Sequence, residues 1–252
     1  MIKGLYAAAS SMLANASRQK ILAHNVSNLD TPGFKQIVTS MGDFVKTSVV
    51  FPGTRQPTPS MMAYVGELGL GVDGIIETTD FGAGIVRTTE NELDLAIEGP
   101  GFFALQTPQG IRYTRDGRFI KDLAGNMVSV DGFRLLDLNG KPIKLPEGRV
   151  VISSNGEISV NNAVVGRIGL SEFKNVETDL ARESGNIFSA VNAPVASKSS
   201  IIQQGALEMP NIDPAQIATS MSIIARTYEA AQKMVQNQDE LLGKTINTLG
   251  RI

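Results

Sequence analysis

"LAHNVSNLDTPGFK", residues 22–35, interrupts a helical pattern that begins near the N-terminus. Pro32 confines Thr31 to extended backbone, and Gly33 readily takes the positive φ that a type II turn needs. Asn25, Asn28, Asp30 and Thr31 carry side chains that bond nearby backbone and close a helix end. This much punctuation predicts that the first helix stops sharply and that the chain then changes direction.

The two ends of the chain share a pattern. Ile2, Leu5, Ala9, Met12, Ala16, Gln19, Ala23 and Val26 recur at alternating spacings of three and four. Ile217, Met221, Ile224, Tyr228, Ala231, Val235, Gln238, Leu242, Thr245, Leu249 and Ile252 do the same. Such a heptad stripe winds helices around partners, and a glutamine within it, Gln19 or Gln238, fixes register at some cost in stability. The second helix opens with Asp213 as N-cap and Pro214 as its first residue, and would run ~55 Å without a break.

Between these ends, from Leu93 to Phe173, stand short runs such as "LDLAI", "GFFALQ", "IRYTR", "NMVSV", "RVVIS" and "EISV". They are separated by "GPG", "TPQG", "RDG", "DG", "NG", "SNG" and "NN". Strand-length runs with these turns predict antiparallel hairpins in a sandwich or barrel. Residues 41–75, with Pro52, Pro57, Pro59 and several glycines, read as an extended connector. The expected fold class is α+β. Residues 1–40 and 205–252 form a coiled-coil-like terminal helical domain, and residues 76–204 a central antiparallel β domain.

Little in the sequence points to chemistry. The 23 Lys and Arg nearly balance 25 Asp and Glu, which gives no footprint for nucleic acid or a membrane surface. With no cysteine and a single histidine, His24, neither a thiolate nucleophile nor a His-based triad or metal site is expected. "GLGVDG", Gly69–Gly74, has the glycine spacing of a dinucleotide loop and offers the alternative of a nucleotide-binding enzyme. The β-branched "IIETT" after it does not open the helix such a loop needs. Glu90, Glu92, Asp94 and Glu98 read as the solvated face of a strand rather than an acid/base pair. The glycosylation pattern at Asn25 lies within a helix and is set aside. The N-terminal apolar run is broken by Ser10, Ser11 and Asn15 and is expected to be helix, not a cleaved signal. No window holds the ~18 uncharged apolar residues of a membrane span. No catalytic, cofactor or metal site is expected.

Taken together, the motifs resemble those of the bacterial flagellar axial proteins, the rod and hook family. In "NVSNLDTPGF" the residues Asn25, Asn28, Thr31, Gly33 and Phe34 match the family's turn, with His24 standing where another Asn is usual. "LDLAIEGPGFFAL" with "YTRDGRF" resembles the family's β motif. "QGALEMPNID" resembles the lead into the last helix, with Pro210 in place of a small polar residue, and "RTYEAAQKM" resembles that helix itself. Length and the single modest β domain look like a rod subunit, proximal or distal, more than a hook or hook-junction subunit. The resemblance implies a structural subunit that is exported by the flagellar apparatus without a cleaved signal. It implies self-assembly through the terminal helices into a hollow tube within the basal body, which transmits torque to the hook. Copies of the chain, other rod subunits, the hook, the export apparatus and the basal-body rings are the implied partners. Asn25, Asn28, Thr31, Gly33 and Phe34 would set the exit from the tube lining; Met221, Ile224, Tyr228, Val235 and Leu242 would line subunit contacts.

Overall fold

Apolar periodicity at both ends and turn residues in the middle sort the chain into helix, strands and helix. The structure, a computed structural model, describes residues 2–43, 46–51, 63–69, 71–197 and 199–249. Helix α1 (Ile2–Ser27) leads into β1 (Ile37–Asp43), β2 (Lys46–Phe51), β3 (Ala63–Gly69) and β4 (Val72–Thr79). Next come β5 (Val86–Thr88), β6 (Leu95–Glu98), β7 (Gly101–Thr107), β8 (Gly110–Thr114), β9 (Phe119–Lys121), β10 (Met127–Ser129) and β11 (Arg134–Leu135). Then β12 (Val150–Ile152), β13 (Glu157–Val160), β14 (Ala163–Arg167), β15 (Leu170–Glu172) and a single turn, α2 (Val176–Asp179). The chain closes with β16 (Leu180–Ser184), β17 (Ile187–Ala190), β18 (Val195–Ala196), β19 (Ile201–Gln204), β20 (Ala206–Glu208) and α3 (Pro214–Leu249). The fold is α+β with a central antiparallel β-rich region, and α3 starts at Pro214 as its N-terminal signals predict.

The chain divides into two compact units. One contains residues 1–26, 37–78 and 214–252. In α3 the heptad column is the least exposed face: Ile217, Ile224 and Ala231 are buried, and Met221, Val235, Gln238 and Leu242 are half-buried. Tyr228 and Thr245 are exposed. In α1 the least exposed column is displaced from the predicted one. Ala8, Ala14, Asn15, Ile21 and Asn25 are buried and Gly4, Ser11, Arg18 and Leu22 half-buried; of the predicted stripe Leu5 and Met12 are half-buried, while Ala9, Ala16, Gln19, Ala23 and Val26 are exposed. The stretch read as a connector holds paired strands, β1 with β4 and β2 with β3. Runs such as "KTSVVF" and "AYVGEL" favour strand; Pro52, Pro57 and Pro59, which dominate the reading of that region, lie outside the described residues, as does Ile252.

The other unit contains residues 27–36 and 79–213. Its largest sheet has nine strands, with β16-β17-β8-β7-β11-β10-β9 along one path and β15 joining β7 to β18. A three-stranded sheet, β12-β13-β14, and the pairs β19-β6 and β20-β5 complete it. Strand β7 is buried on both faces. Phe103 and Leu105 point into a core with Leu95, Ile97, Phe119, Met127, Leu135 and Ile158. Phe102 and Ala104 point into a second, with Tyr113, Leu136, Phe173, Leu180 and Phe188. Rings meet edge to face, Phe103 on Phe119 and Tyr113 on Phe173 with centroids 5.1 Å apart in each pair. The "NN" turn joins β13 to β14 with Asn161 and Asn162 both at positive φ, the hairpin geometry that asparagine tolerates.

Candidate functional site

The end of α1 is built as the sequence suggests, with one longer reach. The buried Asn25 side chain donates to Ile37 O at 2.8 Å and accepts from Ile37 N–H at 3.0 Å, copying both bonds of a strand pair. Past the helix, Thr31 N–H donates to Asn28 O and Phe34 N–H to Thr31 O, each at 3.2 Å. Pro32 and Gly33 are the corners of that second turn, with Gly33 at φ +70° as the type II turn requires. A Cβ on Gly33 would stand 2.4 Å from the Arg115 carbonyl carbon and the Asp116 nitrogen. Gly33 is therefore required twice, by its φ and by the backbone lying against it.

Buried charge holds the segment beyond the turn. Phe34 is 1% exposed, with the Arg182 guanidinium 4.9 Å above its ring and 5.2 Å above that of Phe188. Arg182 also donates to Lys35 O, and Asn186 Nδ2 to Pro32 O at 2.8 Å. Lys35 is 1% exposed; its Nζ donates to Glu208 Oε1 at 2.6 Å and to Gly82 O at 2.7 Å. The Glu208 carboxylate, 2% exposed, also accepts from Gly84 N–H at 2.9 Å and from Arg115 Nη1 at 3.3 Å. Arg115 lies over the Phe102 ring at 4.8 Å and donates to Gly99 O at 2.7 Å. Burial pushes the Lys35 ammonium and the Arg115 guanidinium below their ordinary pKa values, against the opposing pull of Glu208.

This cluster joins the sequence motifs to one another. "TPGFK" supplies Lys35, "YTRDG" supplies Arg115, "EGPG" supplies the carbonyl of Gly99, and "ALEMPN" supplies Glu208. Of the residues singled out from sequence, Asn28, Thr31, Gly33 and Phe34 lie at this knot, and Asn25 lies one helical turn before it. Met221, Ile224, Tyr228, Val235 and Leu242 lie on α3 and belong to the other unit. Sequence reasoning does not single out Lys35, Arg115 and Glu208; the available signal is a charged residue in each of three otherwise apolar or turn-rich motifs.

The arrangement braces backbone rather than offering a reactive group. Among the described residues no group of three His, Asp or Glu side chains is placed to hold a metal ion. "GLGVDG" leads from β3 into β4, and no helix starts there, so the geometry of a phosphate loop is not met. Leu95, Ala96 and Ile97 are all buried, so the expected alternation along β6 is corrected: both faces of that strand are covered. Asp94 is buried and accepts from Thr89 Oγ1 at 2.8 Å and Asn91 Nδ2 at 2.9 Å, a structural role. No helix among the described residues is long and apolar enough to cross a membrane.

The chain is similar to known proteins along its length. Residues 5–35 match the family described as flagella basal body rod protein. Residues 96–160 match the flagellar hook protein FlgE/F/G D1 domain, and residues 203–249 the flagellar basal body rod FlgEFG protein C-terminal region. The chain is 32% identical to the flagellar basal-body rod protein FlgF of Caulobacter vibrioides, covering 100% of both chains. It is 30% identical to FlgG of Bacillus subtilis, covering 98% of this chain and 99% of that protein. The flagellar hook-basal body complex protein FlhO of Bacillus subtilis is 27% identical over 100% of both chains.

Proposed function

The chain belongs to the flagellar basal-body rod family, and we propose that it builds the rod through its two terminal helices. It is a structural subunit of the basal body, which assembles with other axial flagellar proteins. On this reading α1 and α3 pair as a coiled-coil-like element that joins copies of the chain into a hollow tube, and the tube carries torque to the hook. The residues after Ser27 turn the chain away from that lining. Other rod subunits and the hook would be its axial neighbours, the flagellar export apparatus would deliver it, and the basal-body rings would surround it.

The observation that carries the reading is similarity to rod proteins along the whole chain, 98–100% of its length, rather than over one domain. Heptad columns on both terminal helices support the assembly mode. Immuno-electron microscopy of purified basal bodies carrying an epitope-tagged chain tests it. Label is expected along the rod below the hook. Label in the hook or at its junction would favour the hook-type alternative, and absence of label from basal bodies would overturn both.

A further inference from the structure

Residues 27–36 are held by a part of the chain that lies far away in sequence. Gly33 N–H donates to Glu208 O at 2.7 Å, and Gln36 N–H to Asn211 Oδ1 at 2.8 Å. Lys35 reaches the Glu208 carboxylate across 173 residues, and Gln36 reaches Asn211 across 175. Within the segment, the bonds at Thr31 and Phe34 are local turn bonds.

The dependence is not symmetrical. Residues 205–209 have a ladder of their own: β20 pairs with β5 through Ala206 and Thr88, Leu207 and Arg87, and Glu208 and Val86. Met209 N–H adds a bond to Ile85 O and Gly205 N–H one to Asp94 O, both at 2.8 Å. None of these bonds goes to the exit turn. Charge sharpens the difference. Lys35 and Arg115 are two buried cations facing one buried carboxylate. Without Glu208 they repel each other in a site that water does not reach. Arg182 and Asn186 bring no negative charge, since they donate to carbonyls of the exit segment and Arg182 lies over Phe34; Asp80 acts on Lys35 more weakly than Glu208 does, and its Oδ2 accepts from Gln36.

We propose that residues 206–211 are a one-way latch: the C-terminal strand docks first on β5, and only then does Glu208 close the exit turn after α1. Until the latch closes, the turn has its local bonds and those to Asp80, Gly82, Arg182 and Asn186, which do not hold it in its final conformation without Glu208. The conformation of residues 27–36 is thus set by the last strand. This step precedes assembly and stands apart from how copies of the chain pack.

Residue-resolved hydrogen exchange on the full chain tests the latch. In Glu208→Gln the amides of Gly33 and Gln36 should exchange at least about 100-fold faster, since a broken buried pair releases local structure first. The amides of β7 and β8 should keep their wild-type rates. In Lys35→Met the same two amides should speed up while those of Leu207 and Met209 stay protected. If Lys35→Met also frees Leu207 and Met209, the exit turn holds the strand and the direction of the latch is wrong. If Gly33 and Gln36 stay protected in Glu208→Gln, or the β7 and β8 amides are lost with them, the proposal fails. Asn211→Ala leaves the buried charges untouched and decides the matter should Glu208→Gln not fold. Release of Gln36 with Met209 still protected supports the latch, and any other pattern overturns it.

Discussion

Gly33→Ala isolates the turn with a single methyl group. A non-glycine residue at φ +70° costs about 1–2 kcal/mol. The new Cβ would also stand 2.4 Å from the backbone of Arg115 and Asp116, where an ordinary contact needs roughly 1 Å more. Neither partner is the free end of a flexible side chain, so backbone must move, and forced overpacking costs about 1–3 kcal/mol. A total near ~3 kcal/mol in a unit of about 145 residues lowers the melting midpoint by ~10 °C. Gly140→Ala is the matched control, at φ +73° with nothing within 4 Å of its Cβ. It should show the conformational part alone, ~1 kcal/mol and about 3–4 °C. Both midpoints come from thermal melts monitored by the β-sheet circular dichroism signal. Equal losses in the two variants would refute the argument that the approach of Arg115 makes this glycine special.

The other expectations concern the helices and the buried lysine. Ile224 is 2% exposed within the chain itself, so Ile224→Asp should destabilise α3 by about 3–5 kcal/mol even in the isolated protein, read as lost helical dichroism. Lys233→Asp, on the exposed face, should lie within about 0.5 kcal/mol of wild type. Leu13 is 73% exposed, so Leu13→Glu should leave the isolated chain's melt unchanged yet prevent its incorporation into basal bodies; normal rods would remove that face from the proposed assembly. Burial lowers the Lys35 pKa below 10.5, so the folded chain releases this proton before the unfolded chain does. Stability at Lys35 therefore rises with pH between the folded value and 10.5, and urea midpoints of wild type should gain on those of Lys35→Met as pH rises toward 10; a constant difference would contradict this.

Local signals in the sequence locate the elements whose cause is local. The type II turn at Pro32 and Gly33, the start of α3 at Pro214 and the Asn161–Asn162 hairpin each depend on two or three adjacent residues. The knot at Glu208 depends on residues more than 90 positions apart, and nothing near Glu208 in sequence distinguishes a buried carboxylate from a solvated one. The turn therefore reads as a joint independent of the β region, whereas Gly33 packs on Arg115 and bonds to Glu208. The strands within 41–75 are hidden for another reason, because prolines and glycines between them outweigh the short runs they separate.

The displaced column on α1 shows what apolar periodicity does and does not report. The face this chain covers for itself is a band through Gly4, Ala7, Ala8, Ser11, Ala14, Asn15, Arg18, Ile21, Leu22 and Asn25. Most of these residues are small or polar, so a search for apolar residues passes over them. A Cβ on Gly4 would stand 3.7 Å from Gln238 Nε2 of α3, an ordinary contact distance, so the long Gln238 side chain reaches this face. Roughly opposite on the helix run Tyr6, Ala9, Leu13, Ala16, Lys20 and Ala23, all exposed. The predicted stripe shares Ala9, Ala16 and Ala23 with this second column and so falls mainly on the uncovered face. A helix with one covered face of mostly small or polar residues and an opposite, exposed and mostly apolar column is suited to packing on two sides at once. The proposed tube lining asks for that property, and a helix serving only its own chain does not.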